Sequence, residues 1–183
     1  VQVICASGSV PPGLPQDVYA QLGKLARELG KPFILDARGE HLRQGLNARP
    51  FAVKPNREEL AALAGRPLPD TNAVATALKE LAQDVELAIA SLGEAGAVFI
   101  WQGKTYVVEQ PPINAVNPVG SGDAFVAGLA AGLNRRQSIH HSLQLAAACG
   151  IANAIEPETG SINQAQIREL LPTIKIHLWE GEQ

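Results

Sequence analysis

The stretch Asn114-Ala-Val-Asn-Pro-Val-Gly-Ser-Gly-Asp123-Ala-Phe-Val-Ala-Gly-Leu-Ala-Ala-Gly-Leu133 reads as loop, glycine turn and helix in succession. Pro118 fixes its own φ and pushes Asn117 towards extended geometry, so regular structure stops there. Gly120 and Gly122 admit backbone conformations closed to other residues. Beyond Asp123, the residues Phe125, Val126, Leu129, Ala130 and Leu133 recur at the spacing of one helical face. A glycine turn that opens a helix aims unbonded N–H groups outward at the positive end of the helix dipole, which makes an anion site. Asp123 lies in it, and two readings follow. Aspartate is a favoured helix cap and suits the dipole. Alternatively, the N–H groups hold charge on a phosphoryl group in transfer while the carboxylate takes a proton from an attacking hydroxyl. The turn lacks the Lys-Ser/Thr ending of a P-loop, so a nucleotide-hydrolase reading finds no support.

Outward from this stretch, the chain alternates strands and helices, which argues for an α/β protein with a mostly parallel sheet and helices on its faces. Strands are expected over 1–6, 32–36, 50–54, 86–91, 97–101, 104–109 and 173–178. Helices are expected over 15–30, 39–46, from Asn56 to Gly65, 71–83, from Asp123 to 133, 138–155 and 163–171. In the first helix, Val18, Leu22, Leu25 and Leu29 mark the apolar face and Gly30 stops it. The glycine- and proline-rich stretch Ser7-Gly-Ser-Val-Pro-Pro-Gly13 is a loop at the C-terminal end of a strand, where open α/β folds bind ligands.

Two further stretches carry candidate chemistry. In Lys54-Pro-Asn-Arg-Glu-Glu59, Asn56 followed three residues later by Glu59 has the pattern of a capping box. Lys54, at a strand end, offers an ammonium that pairs with phosphate as a point charge, or is an ordinary surface lysine. In Ser91-Leu-Gly-Glu-Ala-Gly96 a Gly-x-x-Gly turn joins strand to strand, which excludes the dinucleotide fingerprint, because that needs a following helix.

Composition narrows the class. The 183 residues are 46% hydrophobic, enough for one buried core, and the net charge is −3. No basic cluster exceeds Arg135-Arg136, which argues against a nucleic-acid partner. The uncharged run 137–155 contains His140, His141, Gln144 and Asn153, so it reads as a buried helix and not as a membrane span. His140 and His141 are expected in solvent, without a third metal ligand. Cys5 and Cys149 lie far apart in apolar runs and are expected as small core residues, which suits a reducing cytoplasm.

Val119-Gly-Ser-Gly-Asp123 followed by Ala-Phe-Val-Ala-Gly resembles the second signature of the ribokinase-like (phosphofructokinase-B type) carbohydrate kinases. The form Asn117-Pro-Val-Gly-Ser-Gly-Asp123 is most similar to the tagatose-6-phosphate kinase and 1-phosphofructokinase branch. Pro118 and Ser121 depart from the threonine and alanine commoner in the wider family, and the closest branch tolerates both. The resemblance implies a three-layer α/β/α fold and ATP-dependent phosphorylation of a ketohexose phosphate (tagatose 6-phosphate, fructose 1-phosphate or fructose 6-phosphate) with Mg2+.

The same resemblance implies roles for individual residues. Asp123 is the general base at the acceptor hydroxyl, and Gly120, Ser121, Gly122 and Asp123 form the anion hole. Lys54, Asn56, Ser91, Gly93, Gly96 and Asn153 serve the nucleotide, Asn153 at the adenine pocket. Glu59 organises Mg2+ through water. The partners expected are ATP and a sugar phosphate, with no nucleic acid and no membrane, in a cytoplasmic protein whose full-length form is a homodimer. Because the chain has no methionine and opens directly into a strand, residues 1–183 are expected to be the C-terminal three-fifths of one kinase domain, without its N-terminal part and lid. The alternatives are a kinase of an unphosphorylated sugar or nucleoside, and a non-catalytic nucleotide-binding remnant.

Overall fold

A computed structural model of the chain describes residues Val1–Gly181. It divides into two compact units, one of 1–93, 97–107 and the chain from 178 onward, the other of 94–96 and 108–177.

In the first unit, β1 (Ile4–Ser7), β2 (Phe33–Asp36), β3 (Ala52–Val53) and β4 (Leu87–Ser91) pair in parallel, and β5 (Ala97–Trp101) returns antiparallel to β4. β6 (Lys104–Glu109) runs along the chain from the first unit into the second, and β7 (Lys175–Leu178) from the second back into the first. Parallel neighbours need crossover connections. These are α1 (Val18–Glu28), α2 (Gly39–Leu46), and the pair α3 (Arg57–Ala64) and α4 (Thr71–Leu81). Leu87, Ala88, Ile89 and Ala90 are all fully buried, so both faces of β4 are covered, as the continuous apolar run requires. Leu60, Val74 and Leu78 pack with Ala88, Ala90, Val98 and Ile100 in one cluster. Tyr19, Ala26 and Leu42 pack with Ala6, Phe33, Leu35 and Val53 in another. Each fully buried leucine contributes about 1.5–3 kcal/mol by leaving water.

The helix and strand pattern expected from the sequence is present, and two readings of detail are corrected. The face of α1 that meets the sheet carries Tyr19, Gly23 and Ala26, whereas Leu22, Leu25 and Leu29 are exposed. The reason is distance. A Cβ on Gly23 would stand 2.5 Å from Ala48 Cβ and 2.9 Å from Phe33, so α1 lies too close to its neighbours for a leucine there. Cys5 is also exposed, not a core residue, because the alternation along β1 turns Ala6 inward and Cys5 and Ser7 outward. Cys149 is buried as expected.

The second unit centres on α5 (Ser121–Asn134) and α6 (Ile139–Ala154), followed by α7 (Gln164–Leu170). The two long helices approach closely through small residues. A Cβ on Gly128 would lie 2.7 Å from Ala146 Cα, and one on Gly132 would lie 2.5 Å from Ser142 Oγ. Ser138 caps α6 by accepting from the His141 N–H, and α6 is continuously buried from Leu145 to Ala154. Among the described residues no helix is long and apolar enough to cross a membrane, and no group of three or more His, Cys, Asp or Glu residues is placed to hold a metal ion. The turn Gly93–Ala95 is a short 3-10 segment leading from strand to strand. After it, Gly96 has a φ of 82°, and a Cβ there would stand 2.0 Å from the Val108 carbonyl oxygen, so glycine alone fits.

Candidate active site

The start of α5 is built by a left-handed glycine. Gly120 is the N-cap, at φ 85°, and a Cβ there would meet Thr159 Cγ2 at 2.7 Å. Both facts demand glycine. Asp123 is therefore not the N-cap residue but the third residue of the helix, and it is exposed. The Ser121 N–H donates to the Pro118 carbonyl at 3.2 Å, and the Ala124 N–H donates to the Gly120 carbonyl at 2.9 Å. Between them lie the amides of Gly122 and Asp123, in the first turn at the positive end of the helix. A 14-residue helix behind this turn adds its dipole.

Asn153 lies in the same unit. It is fully buried, with its polar atoms engaged. Its Nδ2 donates to the Val119 carbonyl at 2.8 Å and to Ser121 Oγ at 3.2 Å, and its Oδ1 accepts from the Gly160 N–H at 2.8 Å. Thus α6 is tied to the glycine turn by a residue expected at the adenine pocket.

In the first unit, the ends of β2, β3 and β4 bring together Asp36, Lys54, Asn56 and Ser91. Lys54 is buried and its Nζ stands 3.0 Å from Asp36 Oδ2. It is no ordinary surface lysine. Asn56 forms a parallel bridge with Ser91, whose N–H donates to the Pro55 carbonyl at 3.0 Å. The capping box is complete, with the Asn56 N–H to Glu59 Oε2 and the Glu59 N–H to Asn56 Oδ1, both at 2.8 Å. A cavity of about 320 Å3 opens beside it, lined by Ser7, Gly8, Ser9, Asp36, Ala37, Arg38 and Glu59. It lies at the C-terminal ends of β1 and β2, the expected ligand end of a parallel sheet. Larger cavities lie elsewhere in the unit. The one around Trp101, Gln102 and Lys79 lies at the start of β4, away from these residues.

Sequence reasoning missed Asp36 and Tyr19. Asp36 carried a signal, a carboxylate ending an apolar strand, without a partner visible in the sequence. Tyr19 donates its hydroxyl to the carbonyls of Gly8 at 3.1 Å and Ser7 at 3.3 Å, fixing the loop that lines the cavity.

The model of the pfkB family of carbohydrate kinases matches residues 1–166. The chain belongs to this family. A tagatose-6-phosphate kinase of Staphylococcus epidermidis is 40% identical over 180 residues, covering 95% of this chain and 57% of the relative. The crystal structure of a candidate phosphofructokinase from Staphylococcus aureus superposes with a TM-score of 0.89 at 30% identity, over 98% of this chain and 58% of that one. Phosphofructokinase-2 of Escherichia coli, in complex with potassium, superposes with a TM-score of 0.86 at 28% identity, over 93% of this chain and 56% of that one. The fold is therefore ribokinase-like, and an Arabidopsis thaliana ribokinase at 24% identity shares it with a TM-score of 0.76. The chain spans about 57% of the length of the curated relative it matches.

Proposed function

We propose that the protein carrying this chain is a pfkB-type kinase that moves the γ-phosphoryl group of ATP to a hydroxyl of a ketohexose phosphate, tagatose 6-phosphate or a fructose phosphate. The observation that carries this reading is the exposed Asp123 carboxylate in the first turn of α5, set there by the left-handed Gly120. Asp123 accepts the proton of the acceptor hydroxyl. The hydroxyl oxygen bonds to the γ-phosphorus, the bond from that phosphorus to the β–γ bridging oxygen breaks, and ADP leaves with the electron pair. The amides of Gly122 and Asp123, with the Gly120–Ser121 turn holding them, stabilise charge on the phosphoryl oxygens.

Lys54, Asn56, Ser91, Gly93 and Gly96 contact the nucleotide in this reading, and Asn153 serves it indirectly, through its bonds to the Val119–Ser121 turn. The buried ion pair with Asp36 holds the Lys54 ammonium in one place. Magnesium would supply positive charge that offsets the charge of the nucleotide phosphates. It prefers to keep several waters and needs few protein carboxylates. A single exposed-side carboxylate fits that demand, and Glu59, half-buried and already oriented by its capping bond to Asn56, would hold the ion through water. The polar cavity edged by Ser7, Ser9, Asp36 and Arg38 suits a polyhydroxy, phosphorylated substrate. A cytoplasmic location and a homodimer of the whole protein belong to the same reading.

The test is ATP consumption with magnesium against tagatose 6-phosphate, fructose 1-phosphate, fructose 6-phosphate and their unphosphorylated sugars, on the chain and on the whole protein that carries it. Turnover confined to the phosphorylated sugars is expected. Turnover confined to unphosphorylated sugars or nucleosides would redirect the substrate assignment, and none with any acceptor would favour a nucleotide-binding remnant.

A further inference from the structure

Both backbone polar groups of Val119 are held by asparagine side chains. Its N–H donates to Asn117 Oδ1 at 3.1 Å, and its carbonyl accepts from Asn153 Nδ2 at 2.8 Å. Each asparagine also reaches the segment 157–160. Asn117 Nδ2 donates to the Pro157 carbonyl at 3.1 Å and to Thr159 Oγ1 at 3.2 Å, and Asn153 Oδ1 accepts from the Gly160 N–H at 2.8 Å. Thr159 Cγ2 in turn closes over Gly120, where it would lie 2.7 Å from any added Cβ. Asn117 is anchored at its own backbone, since its N–H and that of Val116 both donate to the Ala154 carbonyl.

We propose that Asn117 and Asn153 are positioning residues, a two-amide brace that locks the glycine turn before Asp123 to the 157–160 segment so that the two move as one piece. The physics favours an amide at both places. An amide side chain donates and accepts at once, so each asparagine binds the turn with one atom and the segment with the other. Asn153 does so with no exposed surface, where an unsatisfied donor or acceptor is costly. The turn itself is glycine-rich and has little stiffness of its own. Its orientation, and with it that of the Gly122 and Asp123 amides, is therefore supplied from outside. Asn153 acts through the turn and not through a contact with the adenine ring. The kinetic part of this inference rests on the kinase reading, and the structural part does not.

Residue-by-residue amide protection in the chain tests the structural part. Asn117→Ala removes the acceptor of the Val119 N–H but leaves the Asn153 bond to Gly160 intact. The brace predicts that the Gly160 amide nevertheless loses protection by roughly tenfold, together with Val119, while β4 amides keep theirs. Asn153→Asp retains an acceptor for Gly160 but loses the donor to the Val119 carbonyl. The Val119 amide should lose protection at pH 8 and regain it in acid, where the buried carboxyl is protonated and donates again. Loss confined to Val119 in the first variant, or an unchanged Val119 in the second, would overturn the brace. In the whole protein, Asn153→Asp should lower kcat roughly tenfold or more at an unchanged KM for ATP and an unchanged preference for ATP over GTP. A raised KM or altered base preference with kcat intact would instead make Asn153 a nucleotide contact. If the unsubstituted protein shows no kinase turnover, the function proposed above fails, and the exchange data alone decide on the brace.

Discussion

Lys54 Nζ and Asp36 Oδ2 meet at 3.0 Å, with 6% and 15% of their side chains exposed, at the ends of adjacent parallel strands. Neither charge is stable there alone. Asp36→Ala should destabilise the chain by about 3–5 kcal/mol because it strands a buried ammonium. Adding Lys54→Met to that variant should recover much of the loss. Urea unfolding midpoints of the single and double variants check this, and a double variant no more stable than Asp36→Ala would contradict it.

Tyr19 links α1 to the Ser7–Gly8 loop through its hydroxyl. Burial, and after it the nearby Asp36 charge, raise the Tyr19 pKa above its ordinary value. The neutral phenol is thus favoured in the folded state. Its contribution is complete below the unfolded value of about 10 and is lost as pH rises through the folded value. Stability should fall above about pH 10, and Tyr19→Phe should flatten that fall while costing about 1 kcal/mol at neutral pH. Denaturant unfolding at pH 7 and at alkaline pH measures both.

The packing of α1 gives opposite expectations for neighbouring residues. Leu25→Gln, on the exposed stripe, should change stability by no more than about 0.5 kcal/mol. Gly23→Val, which must fit where even a methyl group meets Ala48 and Phe33, should cost about 1–3 kcal/mol or more. Equal effects would mean that the leucines, and not the small residues, face the sheet.

The two cysteines should differ towards a thiol reagent. Burial raises the pKa of both thiols, for Cys149 against a smaller lowering by Arg135, so what separates them is access: Cys5 is exposed and Cys149 is buried. One thiol should react rapidly in the folded chain and the second only on unfolding. Rapid labelling of both would contradict the burial of α6.

Much of this was legible in the sequence, where the signal was local. The glycine turn, the capping box of Asn56 and Glu59 and the strand-to-strand turn at Gly93 each follow from a few adjacent residues, and the structure has them. The α1 face was misread because leucines at helical spacing outweigh a glycine and an alanine in any hydrophobic pattern. The approach of α1 to Phe33 and Ala48, which excludes leucine, is a long-range fact. Lys54 was placed at the correct strand end, but its partner Asp36 lies on a different strand, and a pairing register joins them. Asn153 was singled out through resemblance. Its bonds to Val119, Ser121 and Gly160 depend on how α6 returns to the turn, which spacing alone does not encode.

In the proposed reaction Asp123 is the base in phosphoryl transfer. The most direct test of that role is steady-state turnover of the whole protein carrying Asp123→Asn, with ATP, magnesium and the preferred ketohexose phosphate. The substitution keeps the size of the side chain and removes its basicity. If Asp123 is the base, kcat falls by a factor on the order of 100 or more, with ATP binding preserved. Turnover within a few-fold of the unsubstituted protein would contradict it and leave the Asp123 carboxylate with no role beyond favouring the start of α5.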